Sequence, residues 1–250
     1  MSFVIVIPSQ NANNLVACVG AIRAAGETAH IVIVDDGIDS SLFESDAQLA
    51  LRPYSIVPGI RPFVFARNVN LGIRVAGDRA DIVLMNDDAI LHTQNGLTRL
   101  AADAAAHPEY GVIAASVDSC GTPNQIHRSA HGIAIERLPQ GLREERAMLA
   151  FVCVYVPRRT INLVGLLDER FGLQADGTGP RGYGCEDDDY CLRVRQTGLK
   201  LGVQNDVFVN HTTLPSTFRH GDRRADVRLH EKLFREKHGH WPEGHGYPTR

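Results

Sequence analysis

The chain has 250 residues, 44% of them hydrophobic and 22% charged, with a formal net charge of −3. That size and balance fit one large globular domain or two small ones around a buried core. They exclude a global field that would draw the protein to nucleic acid or an anionic membrane, and no apolar run approaches the roughly 20 residues of a membrane span.

In chain order, short β-branched apolar runs alternate with helical patterns through the first half. "FVIVIPS" (3–9) has no basic region before it and no small-residue cleavage site after it, so it reads as a first buried strand and not a leader. A helix follows with Leu15, Val19 and Ile22 on one face. "HIVIVDDG" (30–37) is a second strand that stops at two aspartates, and "SIVPG" a short third. "NLGIRVAGDRA" (70–80) predicts a helix entered through a glycine turn, and "DIVLMNDDAIL" (81–91) a strand running into acids. "GLTRLAADAAAH" (96–107) is an alanine-rich helix and "GVIAASV" (111–117) a strand. Such alternation predicts an α/β fold with a mostly parallel central sheet and helices on both faces.

The second half reads differently. "QIHRSAHGIAIERLPQ" (125–140) suggests a hairpin or excursion, and "MLAFVCVYVPR" (148–158) a central strand. A glycine-rich loop (173–184), either a lid or a plain connection, leads into "CEDDDYC" and a helix. "KLGVQNDVFVNH" (200–211) closes the regular core, and "RADVRLHEKLFREKHG" predicts a helix in a basic, His-rich tail. The five cysteines are odd in number and form no CxxC pair, which fits a reduced, cytoplasmic setting.

Ligands of open α/β sheets bind beyond the carboxyl ends of strands. Three acidic groups fall at such places or before a helix: Asp35–Asp36, Asp87–Asp88 and Glu186–Asp189. Each has a plain reading as a turn or helix cap. Together they point to a hard cation and its anionic ligand, since carboxylate oxygens suit Mg²⁺ or Mn²⁺.

The stretches "VIVIPSQNANNLVACVGAI", "IVIVDDG", "NLGIRVAG…DIVLMNDDAIL" and "GYGCEDDDYCLRVRQTG…VNH" resemble, in that order, glycosyltransferase family 2 enzymes of the GT-A nucleotide-diphospho-sugar transferase fold. The resemblance spans about residues 3–211. The stretch around Tyr183 is also similar to the Gly-Trp-Gly-Gly-Glu-Asp-Asp-Asp segment of β-1,4-galactosyltransferases, with tyrosine in the place of tryptophan. It implies a GT-A domain at 1–215, with a nucleotide-sugar-binding half (1–118) and an acceptor and catalytic half (119–215), and a helical tail at 216–250. Donor contacts are implied for Pro8, Ser9, Asp36, Asn70, Gly72, Asn86 and Asp87, with Gly72 allowing close approach of the nucleotide. Asp88 and His211 are the implied ligands of Mn²⁺ or Mg²⁺. Asp187 is the implied catalytic base of an inverting transfer, while Glu186 and Tyr183 would hold the acceptor.

The implied partners are a UDP-, GDP- or dTDP-linked sugar and a glycan or glycolipid acceptor, without nucleic acid or a membrane span, though with room for peripheral membrane contact. Asn86 stands where the first acid of a full Asp-x-Asp would be, and Ile38 where many members carry serine. The Gln-x-x-Arg-Trp motif of processive synthases is missing, which implies addition of a single sugar. Two rivals remain: a nucleotidyltransferase, for which "PSQNANNL" lacks the glycine and lysine of a phosphate loop, and a non-catalytic sugar- or nucleotide-binding protein. Histidines 220, 230, 238, 240 and 245 match no zinc spacing and are expected at the surface.

Overall fold

The β-branched runs of the first half become neighbouring parallel strands. The computed structural model describes residues 2–38, 53–120, 125, 140–172, 184–214 and 223–242. In it β1 (Phe3–Ser9) lies between β2 (His30–Asp35) and β4 (Asp81–Met85), with β3 (Tyr54–Pro58) outside β2. The sheet continues through β8 (Cys153–Val156), β6 (Tyr110–Val117) and β9 (Lys200–Asn210) to the two-residue β5 (Ile90–Leu91), while β7 (Leu142–Glu145) also pairs with β9. Among the described residues six strands share one direction, and β5, β7 and β8 oppose them. The carboxyl ends of β1, β2, β4, β6 and β9 therefore meet at one edge.

Strand alternation sends side chains to two faces. Ile5 and Ile7 join one buried cluster with Leu15, Val19 and Ile22 of α1 (Ala12–Ala24) and Leu97 and Leu100 of α3 (Gly96–Ala106). Val6 faces the other cluster, with Phe65, Val69 and Ile73 of α2 (Phe65–Val75), Ile161 of α4 (Arg158–Val164) and Tyr190 and Val194 of α5 (Glu186–Gln196). At roughly 25 cal/mol per Å² of apolar surface removed from water, these two layers are the main source of stability.

Several boundaries differ from the sequence reading. The helix expected at 70–80 starts at Phe65, so Gly72 lies inside it. The run 81–91 breaks into β4 and β5 around a turn in which the Ala89 N–H donates to Asn86 O. Only Cys153–Val156 of the run 148–158 is strand, because Val152 N–H turns back onto Ala150 O. Both β7 and α4 went unread: their polar, arginine-rich sequences carry little periodic signal. Apart from Gln125 and Gln140, the excursion at 125–140 lies outside the described residues. The tail forms α6 (Arg223–His238), and no described helix is long and apolar enough to cross a membrane.

Candidate active site at the sheet edge

Strand register explains how distant acids converge. The loop after β1 is tied to β4 by the Ser9 hydroxyl, which donates to Asp87 Oδ2 at 2.6 Å, and to β2 by Asp36 N–H donating to Ser9 O at 2.8 Å. Asp35 Oδ1 accepts the N–H groups of Gly37 and Ile38 and so turns the chain. Asp36 is left pointing elsewhere. It is 8% exposed, and its Oδ1 accepts no hydrogen bond. Burial raises its pKa, with partial relief from the Arg61 charge and from a side-chain hydrogen bond with Asn68. The Asp36 carboxylate and the Asn68 amide thus stand together, both buried, at the carboxyl edge of the sheet.

β5 supplies the second convergence. It pairs Ile90 with Asn210, two residues after Asp88 and one before His211. His211 Nε2 thus stands 3.2 Å from Asp88 Oδ1, which forms no well-aligned hydrogen bond. The other ring nitrogen, Nδ1, lies 2.9 Å from Ser119 O, so it carries the hydrogen. Burial depresses the pKa of His211, but Asp88, the Ser119 carbonyl and Asp118 outweigh it and leave it raised.

Nε2 meets Asp88 either as an N–H or as a bare lone pair beside a cation. Two ligand atoms at right angles around a cation with bonds of about 2.2 Å stand about 3.1 Å apart, so the pair fits Mn²⁺ or Mg²⁺. Among the described residues no group of three metal-binding side chains exists. Such ions commonly take one or two protein ligands plus phosphate oxygens and water.

Asp118, at the end of β6, fixes this corner by accepting from Asn210 Nδ2, His211 N–H and the Thr212 hydroxyl. The sequence reading missed it, although "SVD" carries the same strand-end acid signal as the others. Asn86 Oδ1, two residues before Asp88, is a further buried oxygen without a hydrogen-bond partner.

Three residues expected at the donor have structural partners of their own. Asp87 is fully buried on the Ser9 hydroxyl and stitches β1 to β4. Asn70 spends its amide on Leu167 N–H, Leu167 O and Glu169 Oε1, clamping α2 to the turn after α4. Gly72 serves packing: a Cβ there would lie 2.3 Å from Val6 Cγ1, so glycine is what lets α2 approach β1. Pro8 and Ser9 are buried within β1.

The four consecutive acids part company. Glu186, 4% exposed, accepts the Gly184 N–H; burial and neighbouring Asp187 push its pKa up to about 8. It supports the turn and is not an open clamp for an acceptor. Asp188 is buried between α5 and α6, beside Leu192, Arg195 and Phe234. Asp189 has no exposure and holds Arg193, Lys237 and His238. Asp187 alone of the four keeps partial exposure, with Oδ1 accepting the Asp188 N–H at 3.0 Å. Tyr183 lies outside the described residues, as do His220 and His245. Two tail histidines expected at the surface are instead interior: His230 is fully buried, and the His238 side chain is only 7% exposed.

An open sheet of this order with acids at its carboxyl edge defines the GT-A nucleotide-sugar transferase fold, and three solved structures share it. GalNAc-T7 with UDP, GalNAc and Mn²⁺ matches with a TM-score of 0.61 at 13% identity, over 84% of this chain and 44% of that one. S. aureus TarS 1-349 in complex with UDP-GlcNAc matches at 0.57 and 12%, over 89% and 62%. UDP-glucose pyrophosphorylase from Acinetobacter baumanii matches at 0.53 and 12%, over 84% and 88%. The chain thus spans about half the length of the first of these. No curated protein matches the sequence. The model of glycosyl transferase family 2 matches residues 4–163, well over half the chain, and the protein belongs to that family. The acid helix α5 and the tail helix α6 lie beyond the matched segment.

Proposed function

We propose that the protein transfers one sugar from a nucleotide-sugar to a hydroxyl of a glycan or lipid-linked glycan, with a divalent cation and inversion at the anomeric carbon. The observation that carries this reading is the His211–Asp88 contact at the carboxyl edge of a family 2 sheet. UDP-sugar or UDP with Mn²⁺ in the neighbouring structures supports a UDP-linked donor, ahead of GDP- or dTDP-linked ones.

In this reading Asp36, with Asn68 beside it, meets the nucleoside, and Asp88 and His211 hold Mn²⁺ or Mg²⁺. When bound, the cation supplies Lewis-acid stabilisation of charge on the departing nucleoside diphosphate. Asp187 accepts the proton of the acceptor hydroxyl as its oxygen bonds to the anomeric carbon and the bond from that carbon to the phosphate oxygen breaks. A single displacement of this kind inverts configuration. Tyr183 offers a flat face for the acceptor ring. Five free cysteines fit a reduced compartment.

Calorimetric titration with UDP, GDP and dTDP, with and without Mn²⁺, tests the division of roles. Asp88→Asn is expected to lose the metal-dependent part of nucleotide affinity, about tenfold or more. Asp187→Asn is expected to keep that affinity while transfer falls by about 10³-fold, within the range for loss of a general base. Equal loss of affinity in both variants would overturn the assignment. Binding without any transfer or donor hydrolysis would favour a non-catalytic binding protein.

The pyrophosphorylase neighbour favours nucleotidyl transfer as a second reading. Against it, the loop after β1 has neither glycine nor lysine, and Asn11 caps α1 with its own side chain, accepting from Asn13 and Asn14 N–H. Pyrophosphate release from UTP and a sugar phosphate would revive it.

A further inference from the structure

We infer that His230, on the tail helix α6, is a positioning residue for the turn that carries Glu186 and Asp187; its effect on turnover rests on the transferase reading above. Positions 230, 234, 237 and 238 recur at helical spacing, so they form one stripe. All of that stripe lands on the acid turn and its approach. His230 is fully buried, and its Nε2 accepts the Gly172 N–H at 3.0 Å. The same ring packs on Gly184, where a Cβ would lie 2.4 Å from Nδ1. Phe234 packs with Phe171 and Cys185, while Lys237 bridges Asp168 and Asp189 and His238 contacts Asp189.

One imidazole therefore touches both residues that bracket the segment 173–183, to which Tyr183 belongs. The contact passes onward, because Gly184 N–H donates to Glu186. Between them Cys185 sits at φ 59°, a left-handed conformation that residues other than glycine hold only when their surroundings impose it. Phe171 and Phe234 are those surroundings. Without His230 the buried Gly172 N–H loses its acceptor and the Gly184 backbone loses its backing, so Glu186 and Asp187 lose their fixed approach.

Backbone amide exchange read by mass spectrometry tests this on the full chain. His230→Leu is expected to speed exchange at residues 184–189 about tenfold, leaving residues 3–9 and 30–35 unchanged. His230→Gln, whose amide oxygen can accept the Gly172 N–H, is expected to restore most of the protection. In activity terms, His230→Leu should lower kcat and raise the acceptor KM while UDP affinity with Mn²⁺ stays within twofold of the wild type. Unchanged exchange at 184–189, or equal acceleration throughout the chain, would overturn the role. If His230→Leu does not fold, Phe234→Leu in the same stripe repeats the measurement with the same expected local acceleration. Wild-type protein that binds no nucleoside diphosphate would sink the transferase reading, and the exchange result would still decide the role of His230.

Discussion

The strand-end acids and the helix-start acids carry the same charge but are governed differently. At the sheet edge each carboxylate is placed by its own strand: register brings Asp36 beside Ser9, and the Ile90–Asn210 pair brings Asp88 to His211. On α5 the four acids are adjacent in sequence, and a distant helix sorts them. Asp189 is buried under Lys237 and His238, Asp188 lies against Phe234, Glu186 is turned to Gly184, and Asp187 keeps its exposure. An acidic edge can thus be assembled by sheet geometry alone, whereas one acid kept accessible in a run of four needs the rest of the run to be occupied.

The strongest way to break this contrast is Asp189→Ala. Removing a carboxylate of zero exposure takes a partner from Arg193, Lys237 and His238. Lys237 keeps Asp168 and Arg193 keeps the Val164 and Leu166 carbonyls, so the cost falls at the low end of the about 3–5 kcal/mol for breaking a buried ion pair. Denaturant unfolding should show that loss. Under native conditions the surviving folded fraction should still bind UDP with Mn²⁺, since the damage is confined to the acid helix. Weakened nucleotide affinity per folded molecule would mean that the two regions are not separable.

Gly72→Ala attacks the other region. A methyl 2.3 Å from Val6 Cγ1 forces α2 off β1, and overpacking of this kind costs about 1–3 kcal/mol. It should weaken nucleotide binding through Asn68, which sits one turn earlier on α2. A neutral result in both stability and binding would show that α2 shifts freely and that glycine is not required there.

Glu186→Gln gives the most pH-selective effect. Burial and Asp187 raise the pKa of Glu186 in the folded state, so the native protein holds a proton that the unfolded chain releases above about pH 4.3. Folding stability then falls as pH rises from there to about 8. The glutamine variant escapes that fall. Thermal melts at pH 5 and pH 8 should show the variant gaining on the wild type at the higher pH, and a constant difference would place the proton elsewhere.

Much of this was legible in the sequence. β-branched runs ending in acids gave the parallel strands and the edge at which ligands would collect, because burial on both faces of a sheet demands continuous apolar runs. Motif order singled out Asp36, Asp88, His211 and Asp187, and the structure brings Asp88 and His211 within 3.2 Å of each other. Three other motif positions, Asp87, Asn70 and Gly72, have structural work that the motif does not reveal: on β1, on the turn after α4 and at a tight helix–strand crossing. Asn68 was hidden because it acts by adjoining another residue, which leaves no local pattern, whereas Asp118 carries the strand-end signal in "SVD". The two-residue β5 and the buried His230 were equally unreadable, since each depends on a partner about 60 to 120 residues away.

The sequence by itself determined the α/β layering, the family and the acids at the strand ends, for these follow from local periodicity and from short motifs. Only the tertiary structure decided which acid of four stays accessible, which histidine faces a carboxylate and which backs a turn. Charge and burial at a site depend on the neighbours that packing brings, and those neighbours are set by the whole chain.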